Sequence, residues 1–239
     1  MFRRSAAVAC FLIASSSVLD AQHLGIKYMR DSEEYATLAR QVYRLAGDAV
    51  TRLAKDNAAR PWAVVLDIDE TTLDNSTYQL ERAAYGGPSF EDKSWSAWIE
   101  RREAPPIPGV VGFVALVHKA GGHVAFLTNR NVVLMDATRA NLRAIGVWND
   151  DDRLCGQKNP QHTKAERRHE VMTGQGECAW PGRATRPMVF VGDQMGDFPV
   201  ATEQIPETGT DEAFGKTCFL LPNSMYGLWT TNVTRMPRP

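Results

Sequence analysis

Three short apolar runs punctuate the chain, and each ends abruptly in polar residues. Ala63-Val64-Val65-Leu66 precedes Asp67, His123 to Leu127 precedes Thr128-Asn129-Arg130, and Met188 to Val191 precedes Gly192-Asp193. Continuous runs of this length suit strands buried on both faces, as in parallel sheets. Cys218 to Leu221 adds a last one. Between the runs lie stretches with helical spacing. Leu38, Val42, Leu45, Ala49 and Leu53 predict a long amphipathic helix, capped by Asp31 or Ser32 and ending near Lys55. Trp95, Trp98 and Ile99 predict a short helix, Val110 to Ala120 one that stops at Gly121-Gly122, and Asp136 to Ala144 another. Gly146-Val147-Trp148 reads as a loop leading to a further strand. Strands alternating with helices predict an α/β doubly wound fold, whose ligands sit at the carboxyl ends of the strands. Ala104 to Gly109, with prolines at 105, 106 and 108, marks a boundary after a region without strand pattern.

Composition narrows the class. The 239 residues, 44% hydrophobic and 23% charged, suit a globular chain that buries a real core. A formal net charge of -1 gives no electrostatic footprint for a nucleic-acid polymer or an anionic membrane, while single nucleotides stay possible as substrates. Arg3 and Arg4 followed by the apolar stretch Ala6 to Leu19 read as an export leader over residues 1–21, cleaved near Ala21. Lipidation at Cys10 is the one route to membrane attachment. Three cysteines remain, and Cys155 and Cys178 are the better-placed disulfide pair, which leaves Cys218 as an odd thiol. Asn149 to Asp152 lacks the spacing of a calcium loop and reads as a solvated turn.

The chemistry gathers at the ends of the apolar runs. Strand alternation puts Asp67 and Asp69 on one side, about 6–7 Å apart, with Ile68 opposite. Two carboxylates so placed repel unless a cation holds them, and Mg²⁺ is the natural guest. The stretch Asp67 to Tyr78, DIDETTLDNSTY, resembles the first motif of the haloacid-dehalogenase-like phosphatases. Its longer form resembles the signature of the class C acid phosphatases, secreted or lipoprotein 5′-nucleotidases. The resemblance implies Asp67 as the nucleophile toward phosphorus and Asp69 as general acid and base.

The later motifs extend the likeness. A threonine hydroxyl with the backbone N–H groups that follow can hold phosphate oxygens at a strand end. Thr128-Asn129-Arg130 resembles the second motif and implies Thr128 as phosphate binder with Asn129 helping; Arg130 either touches substrate or pairs with an acid. Phosphoryl transfer needs a positive charge beside the nucleophile. Lys164, followed by Arg167 and Arg168, resembles the third motif, with Lys158 as second choice; most of this basic run should be a solvated helix face. Gly192-Asp193 to Asp197 resembles the fourth motif. It implies that Asp193 completes a magnesium shell with Asp67 and the backbone carbonyl of Asp69, and that Asp197 orients water or Lys164. Gly192 would let the backbone turn tightly there. Pro222 to Trp229 resembles the class C ending and implies that Tyr226 and Trp95 stack on either side of a nucleobase; Trp98 reads as packing.

These readings predict a haloacid-dehalogenase-like domain over residues 31–239, with a small, mostly helical cap at about 79–106. The expected function is a Mg²⁺-dependent acid phosphatase, exported to the periplasm or secreted. It would hydrolyse small phosphomonoesters, nucleoside 5′-monophosphates foremost, through an aspartyl-phosphate. A phosphotransferase would share every residue, and an idle storage or binding protein would be expected to lose Asp67. A dehalogenase would not need Asp69. Nothing in the residues sets an oligomeric state.

Overall fold

The computed structural model describes residues 23–56, 60–86 and 90–231. The expected leader, with Cys10, lies outside them. The sheet has five strands: β1 (Trp62–Leu66), β2 (His123–Asn131), β3 (Arg153–Gln157), β4 (Arg186–Gly192) and β5 (Cys218–Leu220). Their order is β3-β2-β1-β4-β5 and every pairing is parallel. The chain builds outward from β1 to β3, then crosses back to start again on the other side of β1. That reversal opens a crevice beside β1 at the carboxyl ends of the strands, where such sheets bind ligands.

Alternation sorts the strand residues into two cores. Val64, Leu66, Val124, Phe126, Val189 and Val191 face one apolar cluster, while Ala63, Val65, Ala125, Leu127 and Phe190 face the other. Both faces are covered, which is why the runs contain so few polar breaks. The first layer contains a helix over residues 23–31 (α1), α2 (Glu33–Asp56) and α5 (Val110–Lys119); the second contains α7 (Lys164–Thr173).

Helix α2 begins where expected, with Ser32 Oγ accepting the Tyr35 N–H at 3.1 Å, and it buries Ala49 and Leu53 as expected, but the rest of its inward face is rotated. Tyr35, Ala39, Tyr43, Ala46, Gly47, Val50 and Leu53 point inward, and Leu45 is exposed. Small residues decide the rotation. The helix seats closely on the start of α5, where a Cβ on Gly109 would stand 3.1 Å from Tyr43 Cβ and 3.2 Å from Arg40 Cα. Tyr43 packs on Phe113 at 5.4 Å and donates its hydroxyl to the Thr71 carbonyl at 2.6 Å.

Two helices, α3 (Ser76–Ala84) and α4 (Asp92–Arg101), fill the segment between β1 and α5. Its stems lie side by side: Asp74 N donates to the Pro105 carbonyl at 2.8 Å and Ile107 N to that of Thr72 at 3.1 Å. The proline-rich stretch is thus the return stem of an insertion. Helix α6 (Met135–Ala144) leads to β3. The acidic turn before β3 is not fully solvated. Asp152 is buried, accepting the Val124 N–H at 2.8 Å and that of Asn149 at 2.9 Å beside His118, and so caps the start of β2. Cys155, inside β3, and Cys178 form a disulfide, and Cys218 is a buried thiol.

Candidate active site

Register brings the site together. Leu66 pairs with Phe126 on one side and Val191 on the other, so the residues that follow, Asp67, Leu127 and Gly192, lie nearly level. Asp67 N still donates to the Val191 carbonyl at 3.1 Å, after which the chain turns. The turn is tight: Glu70 has φ 56, in the left-handed region that side chains avoid outside constrained sites. β2 continues to Asn131 rather than stopping at Leu127, and its register against β3 shifts between those residues. This irregularity re-aims Thr128, Asn129 and Arg130, a common use of bulges beside a site.

Asp67 and Asp69 face different neighbours. Lys164 bridges Asp67 Oδ1 and Asp197 Oδ1. Carboxylate oxygens of Asp67, Asp193 and Asp197 all lie within 4.8 Å of one another. Burial pushes Asp67 well above the usual carboxylate range; Lys164 opposes the rise, and the surrounding aspartates add to it. Asp193 is pushed up to about 7, by burial first and then by Asp197, against a hydrogen bond from Asn223. For Lys164, burial works against the charge, but Asp67 and Asp197 outweigh it and hold the ammonium above the usual lysine range. Three buried carboxylates around one ammonium leave an excess of negative charge. Their all-oxygen donor set fits a hard divalent cation. A second grouping, His162, Glu170 and Cys178, has its sulfur committed to the disulfide.

Asp69 stands apart from that cluster. Its Oδ1 accepts from Arg130 Nε at 2.9 Å, Arg130 Nη2 at 2.7 Å and Asn75 Nδ2 at 3.0 Å, and the Thr128 hydroxyl is 3.4 Å from Oδ2. Arg130 thus pairs with an acid, one of its two expected alternatives, and it also lines the cleft. Thr128 is fully buried with its hydroxyl between Asp69 and the Arg130 N–H, while Asn129 lies at the cleft with Oδ1 held by Arg167 at 2.7 Å.

Lys164 opens α7, whose first turn is fixed by a reciprocal cap: Thr163 Oγ1 accepts the Glu166 N–H and Glu166 accepts that of Thr163. The next two basic residues are not a solvated face. Arg167 and Arg168 are buried. Arg167 donates to the carbonyls of Thr128 and Cys155, and Arg168 to those of Asp197 and Phe198 and to Glu203. They tie the second and fourth motifs to the helix that carries Lys164. Lys158 pairs instead with Glu177 at 2.6 Å. Asp197 Oδ2 accepts the N–H groups of Asp193 and Gln194, at 3.1 and 2.9 Å. Gly192 is needed for that approach rather than for an unusual turn, since a Cβ there would meet Asp197 Cβ at 2.3 Å.

A cleft of about 1000 Å³ opens over these groups, lined by Asp67, Asp69, Arg130 and Lys164 at its floor and by Trp95 and Tyr226 among its walls. Trp95 is half-buried, edge-on to Tyr78 at 4.9 Å with the Arg130 guanidinium 5.5 Å from its ring centre. Trp98 is buried as packing, but it also donates Nε1 to Asn75 Oδ1 at 2.8 Å. The Tyr226 loop is braced by α1, where Gly25 lies so close to Ser224 that a Cβ would meet its carbonyl oxygen at 2.4 Å.

The sequence profile of the HAD superfamily, subfamily IIIB (Acid phosphatase), matches residues 7–229. The chain belongs to this acid phosphatase family. Among solved structures, the class C acid phosphatase of Bacillus anthracis is similar at TM-score 0.74 and 25% identity, over 91% of this chain and 92% of that one. A second structure of that enzyme, with tungstate bound, matches in fold at TM-score 0.72 and 24% identity, over 92% of each chain. A curated relative, the stem 31 kDa glycoprotein of Glycine max, is 26% identical over 68% of this chain, a match spanning 58% of that protein's length.

Sequence reading alone missed three parts of this acid phosphatase family member. Glu70 and Asn75 are fully buried, with the Asn75 N–H on Glu70 Oε1 at 2.8 Å, and both lie inside the first motif, whose resemblance implies roles for its two aspartates alone. The buried roles of Arg167 and Arg168 carry no signal in composition, because a basic pair on a helix looks the same whether it faces water or carbonyls.

Proposed function

We propose that this chain is an exported, Mg²⁺-dependent acid phosphatase that hydrolyses phosphomonoesters, nucleoside 5′-monophosphates among them. The observation that carries the reading is the separation of the two aspartates: Asp67 sits with Lys164 and the acid cluster, and Asp69 with Arg130, Asn75 and Thr128. Two carboxylates in unlike surroundings can take two roles in one reaction.

An Asp67 carboxylate oxygen attacks phosphorus in line, forming a carboxylate–phosphorus bond as the bond to the leaving oxygen breaks. Asp69 gives that oxygen its proton. Water then attacks the aspartyl-phosphate, Asp69 takes the water's proton, and Asp67 leaves as a free carboxylate with inorganic phosphate released. The Lys164 ammonium offsets repulsion between Asp67 and the phosphoryl oxygens. Asn129 and the turned backbone after Thr128 offer donors to those oxygens. Asp67, Asp193 and the backbone carbonyl of Asp69 would hold Mg²⁺, with Asp197 behind them. A bound Mg²⁺ would supply charge neutralisation between nucleophile and phosphate. Trp95 and Tyr226 would stack on a base. The export reading is supported by the leader-like first residues and by the disulfide, a bond typical of oxidising compartments.

The test is phosphate release by the purified protein from 5′-AMP and from an aryl phosphate, with Mg²⁺ or with chelator, for wild type and Asp67→Asn. Metal-dependent release that Asp67→Asn abolishes is expected. Undiminished turnover by Asp67→Asn would overturn the reading.

A further inference from the structure

Asn75 is fully buried and does not line the cleft, yet its side chain lies at the centre of a network that ends on Asp69. Oδ1 accepts from Trp98 Nε1 at 2.8 Å and from Arg130 Nη2 at 3.4 Å. Nδ2 donates to Asp69 Oδ1 at 3.0 Å, Glu70 Oε2 at 3.3 Å and the Leu73 carbonyl at 3.4 Å. The amide has one sensible orientation, because turning it over would set its NH₂ against an indole N–H and a guanidinium. Glu70 fixes it from behind, accepting the Asn75 backbone N–H at 2.8 Å from a residue itself held at φ 56. Arg130 is fixed in turn by the Thr138 hydroxyl at 3.1 Å.

The consequence falls on Asp69. Three donors, two from Arg130 and one from Asn75, converge on Oδ1, whereas Oδ2 has the Thr128 hydroxyl at 3.4 Å. We propose that Asn75 is a positioning residue for the proton-transfer step: with Arg130 it saturates Asp69 Oδ1, leaves Oδ2 to serve the leaving oxygen, and links that carboxylate through Trp98 to helix α4. The inference rests on the reading of Asp69 as proton donor. Trp98 and Trp95 lie one helical turn apart on α4, so the helix that presents an aromatic ring to the substrate also braces the group that protonates its leaving oxygen.

A leaving-group comparison separates this role from a structural one. An aryl oxygen such as p-nitrophenolate departs with little need of a proton, and an alkyl oxygen needs one. kcat/KM is measured for p-nitrophenyl phosphate and glycerol phosphate with wild type, Asp69→Asn, Asn75→Ala and Trp98→Phe. Asn75→Ala should lower kcat/KM for glycerol phosphate on the order of 10²-fold, and for the aryl ester by less than about tenfold. Trp98→Phe keeps the ring in the core and removes only the N–H, so it should show the same bias in smaller measure. It also stands in if Asn75→Ala does not fold. Equal losses on both esters in these variants, with Asp69→Asn still biased, would sink the role of Asn75 alone. Equal losses in Asp69→Asn itself would remove the proton-donor reading and this inference with it.

Discussion

Lys164 pairs with Asp67 and Asp197, Asp193 lies within 4.8 Å of both, and what neutralises the remaining charge sets how the protein responds to pH. In the unfolded chain Asp193 would lose its proton near 3.8, and in the folded protein near 7. Between those values the folded state holds a proton that the unfolded chain has released. That contribution to stability is complete below about pH 4 and is lost as the pH rises through 7. Asp67 is shifted the same way. A divalent cation bound there would take the place of the proton. In chelator, the melting temperature should therefore fall by several degrees from pH 5 to 7.5, and saturating Mg²⁺ should flatten or reverse the slope. Thermal melts across that range test it, with Asp193→Asn as the variant whose slope in chelator is reduced. A melting temperature that rises with pH in chelator would contradict the assignment of these acids as the charge-strained cluster.

Helix α7 shows how an element can carry a site without lining most of it. Its N-terminal residue, Lys164, reaches the acids, and its next turn, Arg167 and Arg168, holds backbone carbonyls of β2, of β3 and of the stretch after β4. Arg167→Lys keeps the charge but loses the planar fork that reaches Thr128, Cys155 and Asn129 together. It should destabilise the fold by about 2–3 kcal/mol in urea unfolding, since hydrogen bonds from a buried charged group are lost. It should also lower turnover, because the Thr128–Arg130 stretch loses its tether. A midpoint shift below about 0.5 kcal/mol would mean that the guanidinium contacts are dispensable. Elements of this kind are only half visible in sequence. The apolar runs of β1, β2 and β4 announce themselves because strands covered on both faces tolerate no polar residue. The start of α7 follows from the motif it resembles. The inward turn of its arginines does not, since the carbonyls freed where the β2–β3 register shifts are a tertiary feature. The rotated face of α2 escaped for a related reason: hydrophobicity favoured its leucines, but the inward face is built on Tyr35, Tyr43 and small residues such as Ala39 and Ala46.

At the scale of the whole molecule, the cleft is assembled from distant pieces of chain. The sheet order could not be read from any one run, but three of the motifs fall just after a buried strand, which placed them at one end of the sheet. What local pattern could not supply is the juxtaposition of Trp95, on an insertion between β1 and α5, with Tyr226, in a loop braced by α1. That pairing came from family resemblance, and the cleft contains both rings. Its functional content is testable. Stacking of a base on an aromatic side chain is worth about 1–3 kcal/mol, which corresponds to roughly 5- to 150-fold in affinity. Trp95→Ala should therefore raise KM for 5′-AMP by at least about fivefold while leaving KM for glycerol phosphate within about twofold, because the small ester does not reach the rim. Tyr226→Ala should do the same from the opposite wall. Because Trp95 also packs on Tyr78, the small ester serves as the internal control for damage to α4. An equal rise for both esters would mean that the rings shape the insertion, and that selection for a base lies elsewhere in the cleft.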